Sequence, residues 1–363
     1  MALLIEHLDR RVLDPIAICP GPGELTDHLQ ALHCPVVHIP LYHIKPRTLL
    51  PLWRSARAIR RVLRDRQVDI IAPDASRDAL TCGLAKLGTG TKMVWFIRQT
   101  GHYPLDPLLE RLADGMIGDS DDAGRRFSRR ARAGGKFRAI WAGTDLRRFH
   151  PVDDRRAARA ALGLPSDRFL LLFVGQVKRA KGVLDIVDAL GLLRRDPPPE
   201  RPPLLLVIGN PDPPGIVEEI ARRAAGGAGG AGGAGAVAAD VQVLPQQENI
   251  ERWMQAADLL LSGSHQDTEG MSRVLYEAMA CGAVPVATDI RGNREALTPE
   301  TGVLVPDQAP AEMARAIRDL AADPGRLARM RERAVRRARE SFDIALHARG
   351  VERFCLDLLG RAS

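Results

Sequence analysis

Short β-branched or Leu-rich runs alternate with longer stretches of helical spacing along almost all of this 363-residue chain, and the alternation is played out twice. In the first half the strand candidates are 16–19, 36–39, 70–72, 93–97, 115–118 and 139–141. In the second they are 170–174, 204–208, 241–244, 259–262, 284–287 and 302–305. Helical patterns fall at 51–65, 183–193, 250–256, 272–280 and 309–321. Buried strands separated by helices argue for a parallel sheet covered on both faces. Repeated on either side of a polar joint near 149–156, the pattern predicts an α/β protein of two doubly wound domains facing a cleft. These would span 1–150 and 151–340, with a final helical segment at 341–363. Ligands of such domains sit beyond the carboxyl ends of the strands.

The opening departs from this plan. A doubly wound domain normally begins with a strand and a glycine turn. Here 3–11 has helical spacing, so the first domain reads as lacking its first strand and glycine loop. The Gly-rich stretch 224–239 and the Pro-rich stretch 197–203 read as surface loops, one loose and one stiff.

Composition narrows the function classes. Cys19, Cys34, Cys82, Cys281 and Cys355 stand far apart with no C-x-x-C pair, which excludes a disulfide framework or zinc knuckle and favours a reducing compartment. No apolar run approaches the ~20 residues of a bilayer span, and no charged-then-apolar leader opens the sequence. A soluble cytoplasmic protein is expected. Residues 1–150 carry 24 basic and 16 acidic side chains, whereas 151–363 carry 28 and 29, so the basic surplus lies in the first domain. It is concentrated at 54–66, where arginines recur at helical spacing, and at 125–138. Such segments suit an anionic acceptor or the anionic inner face of a membrane; the plainer expectation is a solvated arginine face. With aromatic residues at only 4%, nucleic acid is not an expected partner.

Chemistry concentrates in two stretches. In 262–295 a strand ends near Ser262, a polar loop follows, and Glu269-Gly270 is expected to open a helix that stops at Cys281-Gly282. The amides of Gly270, Met271 and Ser272 would then face an anion at the helix start. Glu269 and Glu277, eight residues apart, would lie about 12 Å apart along such a helix. That is wider than the roughly 5–9.5 Å between paired glycosidase carboxylates. It suits a long ligand, a nucleotide sugar, with its sugar at one end and ribose at the other. His265 in the preceding loop is read equally as a ligand contact or a surface histidine. The second stretch, 169–185, ends a buried strand at Val174-Gly175 and continues through Gln176, Lys178, Arg179 and Lys181 to Gly182. Cations on such a turn can hold a diphosphate leaving group.

Taken in order, Phe173-Val174-Gly175, Lys181-Gly182, Glu269-Gly270, Glu277-Ala278-Met279-Ala280-Cys281-Gly282 and Gly292-Asn293-Arg294-Glu295 resemble the retaining glycosyltransferases of family 4, enzymes of GT-B fold. Trp141 to Phe149 resembles the family's interdomain joint, and Thr301 to Val305 its late strand. The resemblance implies a metal-independent hexosyltransferase that needs no cofactor and moves sugar from a nucleotide-diphosphate donor to a saccharide or lipid-linked acceptor in glycan or polysaccharide synthesis. It implies catalytic roles for Glu269, Arg179, Lys181 and His102. It implies donor contacts from Gly175, Gln176, Lys178, Gly270, Met271, Ser272, Val274, Glu277 and Asn293. It also implies that the last helix, near 342–359, returns to the N-terminal domain. The sequence departs from the family in having Gln176 where Arg is common and Met271-Ser272 where Phe-Gly is usual. The segment 96–99 has no histidine where the family often has one, and His102 stands nearby. The alternative is a non-catalytic nucleotide-sugar-binding or partner subunit of the same fold.

Other signatures fall away. Gly21-Pro22-Gly23 lacks the third glycine of a dinucleotide fingerprint, and neither a P-loop nor a nucleophile elbow is present. Asp119-Ser120-Asp121 is read as the cap of a helix over 123–130 rather than as a metal site.

Overall fold

A computed structural model of the chain describes residues 1–98, 101–195, 201–226, 240–266, 268 and 270–361. The first half runs α1 (Ala2–His7), β1 (Ala17–Cys19), α2 (Glu24–Ala31), β2 (Val36–His38), α3 (Leu49–Asp65), β3 (Ile70–Ile71) and α4 (Ser76–Lys86). It continues with β4 (Lys92–Ile97), α5 (Asp106–Leu112), β5 (Gly115–Gly118), α6 (Arg129–Ala133) and β6 (Phe137–Ala139). Then follow α7 (Arg155–Ala161), β7 (Phe169–Val174), α8 (Val183–Arg195), β8 (Pro203–Ile208), α9 (Ile216–Ala224), β9 (Val241–Leu244) and α10 (Ile250–Ala256). The chain ends with β10 (Leu259–Ser262), α11 (Arg273–Cys281), β11 (Val284–Thr288), α12 (Arg291–Ala296), β12 (Val303–Val305), α13 (Pro310–Ala322), α14 (Pro324–Ser341) and α15 (Ile344–Leu359). Every strand expected from the sequence is present, most displaced by a residue or less and 139–141 moved back to Phe137–Ala139. The loop expectations at 197–200 and 227–239 lie outside the described residues.

Contacts divide the chain into two compact units, Met1–Gly143 with Ile344–Ser363, and Thr144–Asp343. The division falls earlier than the polar stretch 149–156. Thr144 N–H donates to the Phe342 carbonyl at 2.8 Å and Phe149 is buried, so this stretch is structured within the second unit.

The second unit is one parallel six-stranded sheet in the order β12-β11-β10-β7-β8-β9. The FLLLFV run of β7 and the PLLLVI run of β8 are apolar on both faces because helices cover both faces. On one of them Phe169, Leu171 and Phe173 pack with Val187 and Leu190 of α8 and Ile317 and Leu320 of α13. The strand order reverses direction between β7 and β10, and the crevice beyond the carboxyl ends of those two strands is where doubly wound sheets bind ligands. At the opposite end Asp258 fixes the same two strands. It accepts from Leu170 N–H at 2.9 Å and from Arg159 at 2.8 Å, with Arg201 at 3.5 Å and Arg331 at 3.8 Å.

The first unit holds a parallel four-stranded sheet, β3-β4-β5-β6, and a separate parallel pair, β1-β2. Met93, Trp95 and Ile97 face α3 and α4, while Val94, Phe96 and Ile117 face α1 and α15. As the sequence suggested, a helix precedes the first strand. Two expectations about 119–138 need correction. The helix expected over 123–130 is a 3-10 turn, Asp122–Arg126, followed by the short α6, because Ser120 and Ser128 each accept an amide hydrogen bond and start separate turns. Nor are the basic residues of 125–138 one surface: Arg126 is buried in an ion pair with Asp106 beside Trp95 and Phe127, and Arg138 pairs with Asp357. Among the described residues no helix is long and apolar enough to cross a membrane.

Asp258 yields the first expectation. Asp258→Ala leaves the Arg159 guanidinium buried without its carboxylate, and breaking such a pair costs about 3–5 kcal/mol. Urea unfolding should show a loss of that order; a loss below about 1 kcal/mol would contradict the role given to this carboxylate.

Candidate functional site

The site is built from the loops that leave β7, β10 and β11. After Val174 the chain passes through Gly175 and Gln176 to Lys178, then through a 3-10 turn, Arg179–Lys181, which Gly182 ends with a left-handed φ of 65°. After Ser262 comes Gly263. These two loops touch main chain to main chain: a Cβ on Gly182 would fall on the Gly263 carbonyl. The His265 N–H adds a hydrogen bond to the Ala180 carbonyl at 3.0 Å. The cation-bearing turn and the loop entering α11 are thus tied together.

His265 is clamped between two acidic side chains. Its Nδ1 lies 2.8 Å from Asp307 Oδ1 and its Nε2 lies 3.8 Å from Asp185 Oδ2. The Gln266 N–H donates to the other Asp307 oxygen at 3.1 Å, and the Gln266 side chain donates to the Asp289 carbonyl at 3.0 Å. Burial pushes the Asp185 carboxyl up from its ordinary range, against the pull of His265. This histidine, which the sequence left between ligand contact and surface residue, is an organiser of the loop. The signal was out of reach, since Asp307 is 42 residues away.

The expected helix start is corrected. Residues 270–272 form a buried turn, Ser272 stands at the N-cap, and α11 begins at Arg273. The reason is long-range: Gly292 at the start of α12 sits against the Gly270 carbonyl, and a Cβ there would clash with it. The first amides of the helix are therefore those of Arg273 and Val274, preceded by the buried Met271 and Ser272. The Ser272 side chain makes no capping bond. At the other end Gly282 turns the chain with φ 80°, and Arg155 and Arg331 both donate to its carbonyl. Cations at a helix C-terminus are favoured by the helix dipole.

Glu277 lies on the buried stripe of α11 with only 9% of its surface exposed. Burial raises its carboxyl above the ordinary value of 4.5, opposed by Arg273, which donates to Oε1 at 3.1 Å, and by the charge of Arg148. Arg148 is itself anchored to Glu251 at 2.8 Å. Arg273 is a functional neighbour not among the sequence candidates, although its i, i+4 spacing to Glu277 is a legible pairing signal. Asn293 is fully buried on α12; its Nδ2 donates to the Thr288 carbonyl at 3.0 Å, and its Oδ1 has no hydrogen-bond partner among the described residues.

Among the sequence-derived candidates, Gly175, Gln176, Lys178, Arg179 and Lys181 lie on the β7 loop, Gly270, Met271, Ser272, Val274 and Glu277 on the β10 loop and α11, and Asn293 on α12. Arg179 is engaged by Glu219 of α9, and Gln176 lies 3.4 Å from Asp212. Glu269 lies outside the described residues. His102 belongs to the first unit, exposed in the loop between β4 and α5.

Residues 168–323 match the family described as Glycosyl transferases group 1. A D-inositol 3-phosphate glycosyltransferase of Streptomyces avermitilis is 33% identical over 245 residues, 66% of this chain and 50% of that protein. One from Rhodococcus jostii is 31% identical over 249 residues, covering 68% and 52%. The chain thus spans about half the length of these relatives. A glycosyltransferase of Rickettsia africae superposes with a TM-score of 0.83 at 17% identity, covering 99% of this chain and 94% of that one. Anabaena HepE in complex with UDP-glucose gives 0.75 at 19% identity, with 99% and 95% covered. The fold is GT-B, with two Rossmann-like units.

Glu277 carries a stability consequence with a definite sign. Its folded carboxyl titrates above the unfolded one, so the burial penalty is absent below about pH 4.5 and grows as pH rises through the raised folded value. Glu277→Gln, of the same shape but uncharged, should unfold at higher urea than the parent at pH 7, with the two midpoints converging near pH 4. An advantage that does not depend on pH would refute this.

Proposed function

We propose that this chain, of GT-B fold and matching the group 1 glycosyltransferases over residues 168–323, transfers a sugar, with retention, from a nucleotide-diphosphate donor bound by its second unit. One observation carries this reading: at the switch point of the sheet, a turn bearing Lys178, Arg179 and Lys181 is fastened to the loop that opens α11, and α11 carries the buried carboxylate of Glu277. The diphosphate lies against the first amides of α11, the nucleoside ribose meets Glu277, and the sugar reaches toward the loop of Met271 and Asn293. Support for the donor class comes from Anabaena HepE, described in complex with UDP and with UDP-glucose.

As the bond from the anomeric carbon to the diphosphate oxygen breaks, its electron pair passes to that oxygen. The helix start and the lysines stabilise the charge that develops there. Arg179 joins them by exchanging Glu219, an exposed pairing that holds little energy. The acceptor hydroxyl oxygen bonds to the anomeric carbon on the same face of the sugar, and its proton passes to the departing phosphate oxygen. Positive charge supplied by the protein makes a metal unnecessary in this scheme. Glu269 and His102 remain proposed contributors on the strength of the family pattern. The acceptor is proposed to be a saccharide or lipid-linked saccharide meeting the first, basic unit; the relatives' names add a phosphorylated polyol as an anionic candidate. A cytoplasmic role in glycan synthesis at the inner face of a membrane completes the proposal.

The test is a panel of nucleotide sugars with the full chain. One of them should release free nucleotide, unaffected by a chelator, and Lys181→Ala should lower kcat roughly 100-fold. By calorimetry Glu277→Ala should weaken nucleotide binding by at least about tenfold. Unchanged affinity would remove Glu277 from the site. Binding without turnover, even with cell-extract acceptors, would establish the partner-subunit reading instead.

A further inference from the structure

The helix α3 presents a face that the fold leaves unused. Leu52, Ala56, Ile59 and Leu63 bury one side of it in the first unit. On the outward side the first two turns expose Leu49, Leu50 and Trp53 at 59%, 57% and 52%. At one turn's spacing the same side continues into Arg54, Arg57 and Arg61, all exposed. The Arg57 guanidinium lies 4.8 Å from the centre of the Trp53 ring. Arg54, Arg57 and Arg61 have no carboxylate partner among the described residues. Arg60, by contrast, turns inward and donates to the carbonyls of Leu84 and Ala85. Lys45 and Arg47, both exposed, lead into the helix.

We infer that this face docks on an anionic lipid bilayer. The inference deepens the membrane reading given above by assigning it residues, and it is independent of donor chemistry. Two leucines and a tryptophan exposed side by side are costly in water and find their natural medium at the boundary between headgroups and acyl chains. Unpaired arginines beside them, long enough to reach upward from a shallowly inserted helix, match the phosphates of anionic headgroups. Charge complementarity therefore selects an anionic surface, and the apolar end of a convex helix selects a deformable one. A lone aromatic residue among the cations offers no stacking platform for nucleic acid.

The experiment mixes the full chain with vesicles of phosphatidylcholine alone or with about a third phosphatidylglycerol, reading co-sedimentation and tryptophan emission. Trp53 is the exposed one of the four tryptophans, so a blue shift reports its entry into lipid. Binding should be at least tenfold tighter to the anionic vesicles and should weaken as salt rises. The triple variants Leu49→Ser/Leu50→Ser/Trp53→Ser and Arg54→Glu/Arg57→Glu/Arg61→Glu should each weaken it at least tenfold. Nucleotide binding, measured without vesicles, should be unchanged in both; if it is lost in the parent too, the donor reading has failed and this one has not. Should circular dichroism show that a triple variant unfolds, Leu50→Ser and Arg57→Glu singly replace it. No binding to anionic vesicles would overturn the proposal. So would binding that the apolar variant leaves intact, which would mark the patch as a site for an acidic macromolecule instead.

Discussion

The second unit depends on one place where two loops meet without side chains between them. Gly182 and Gly263 bring the carboxyl ends of β7 and β10 into main-chain contact at the point where the sheet reverses its strand order. Any side chain at Gly182 would force the loops apart, and its left-handed φ of 65° already disfavours other residues. Through that contact the turn of Lys178, Arg179 and Lys181 is held to the segment that becomes α11. In the proposed function, charge on one loop and helix amides on the other then act on a single anion rather than on two.

Around this contact the protein accepts a cost. A glutamate at 9% exposure, raised above its ordinary titration range, is a destabilising choice for a helix that could have placed an apolar residue there. Arg273 and Arg148 lessen the penalty without removing it. A buried carboxylate and a buried polar atom without a partner among the described residues, such as Asn293 Oδ1, are the kind of features that mark ligand sites. Rigidity is provided at the other end of the sheet, where Asp258 and its arginines hold β7 and β10, and where Arg155 and Arg331 hold the end of α11.

Much of this was legible in the amino-acid order, for a physical reason. Strands covered on both faces are continuous apolar runs, and runs such as FLLLFV and LLLVI cannot be read as surface helices, so the strands fall near their expected places. α11 starts three residues later than the sequence implies because Gly270 looks locally like a helix entrance, whereas its carbonyl is packed closely against Gly292, in another element. The clamp on His265 by Asp307 and Asp185 is a tertiary fact of the same kind. Arginines gave the opposite lesson. At 125–138 their spacing suggested a surface, whereas Arg126 is buried against Asp106. At 54–66 the sequence foresaw the basic face but began the helix at 51, leaving Leu49 and Leu50 outside it.

Hydrogen exchange of the full chain, with and without a saturating nucleotide sugar, tests the central claim most directly. Amides of 175–182 and of 270–277 should slow together, because one diphosphate spans both loops, while those of α13 should not change. Protection confined to either loop alone, or appearing only elsewhere while the ligand is bound, would contradict the account.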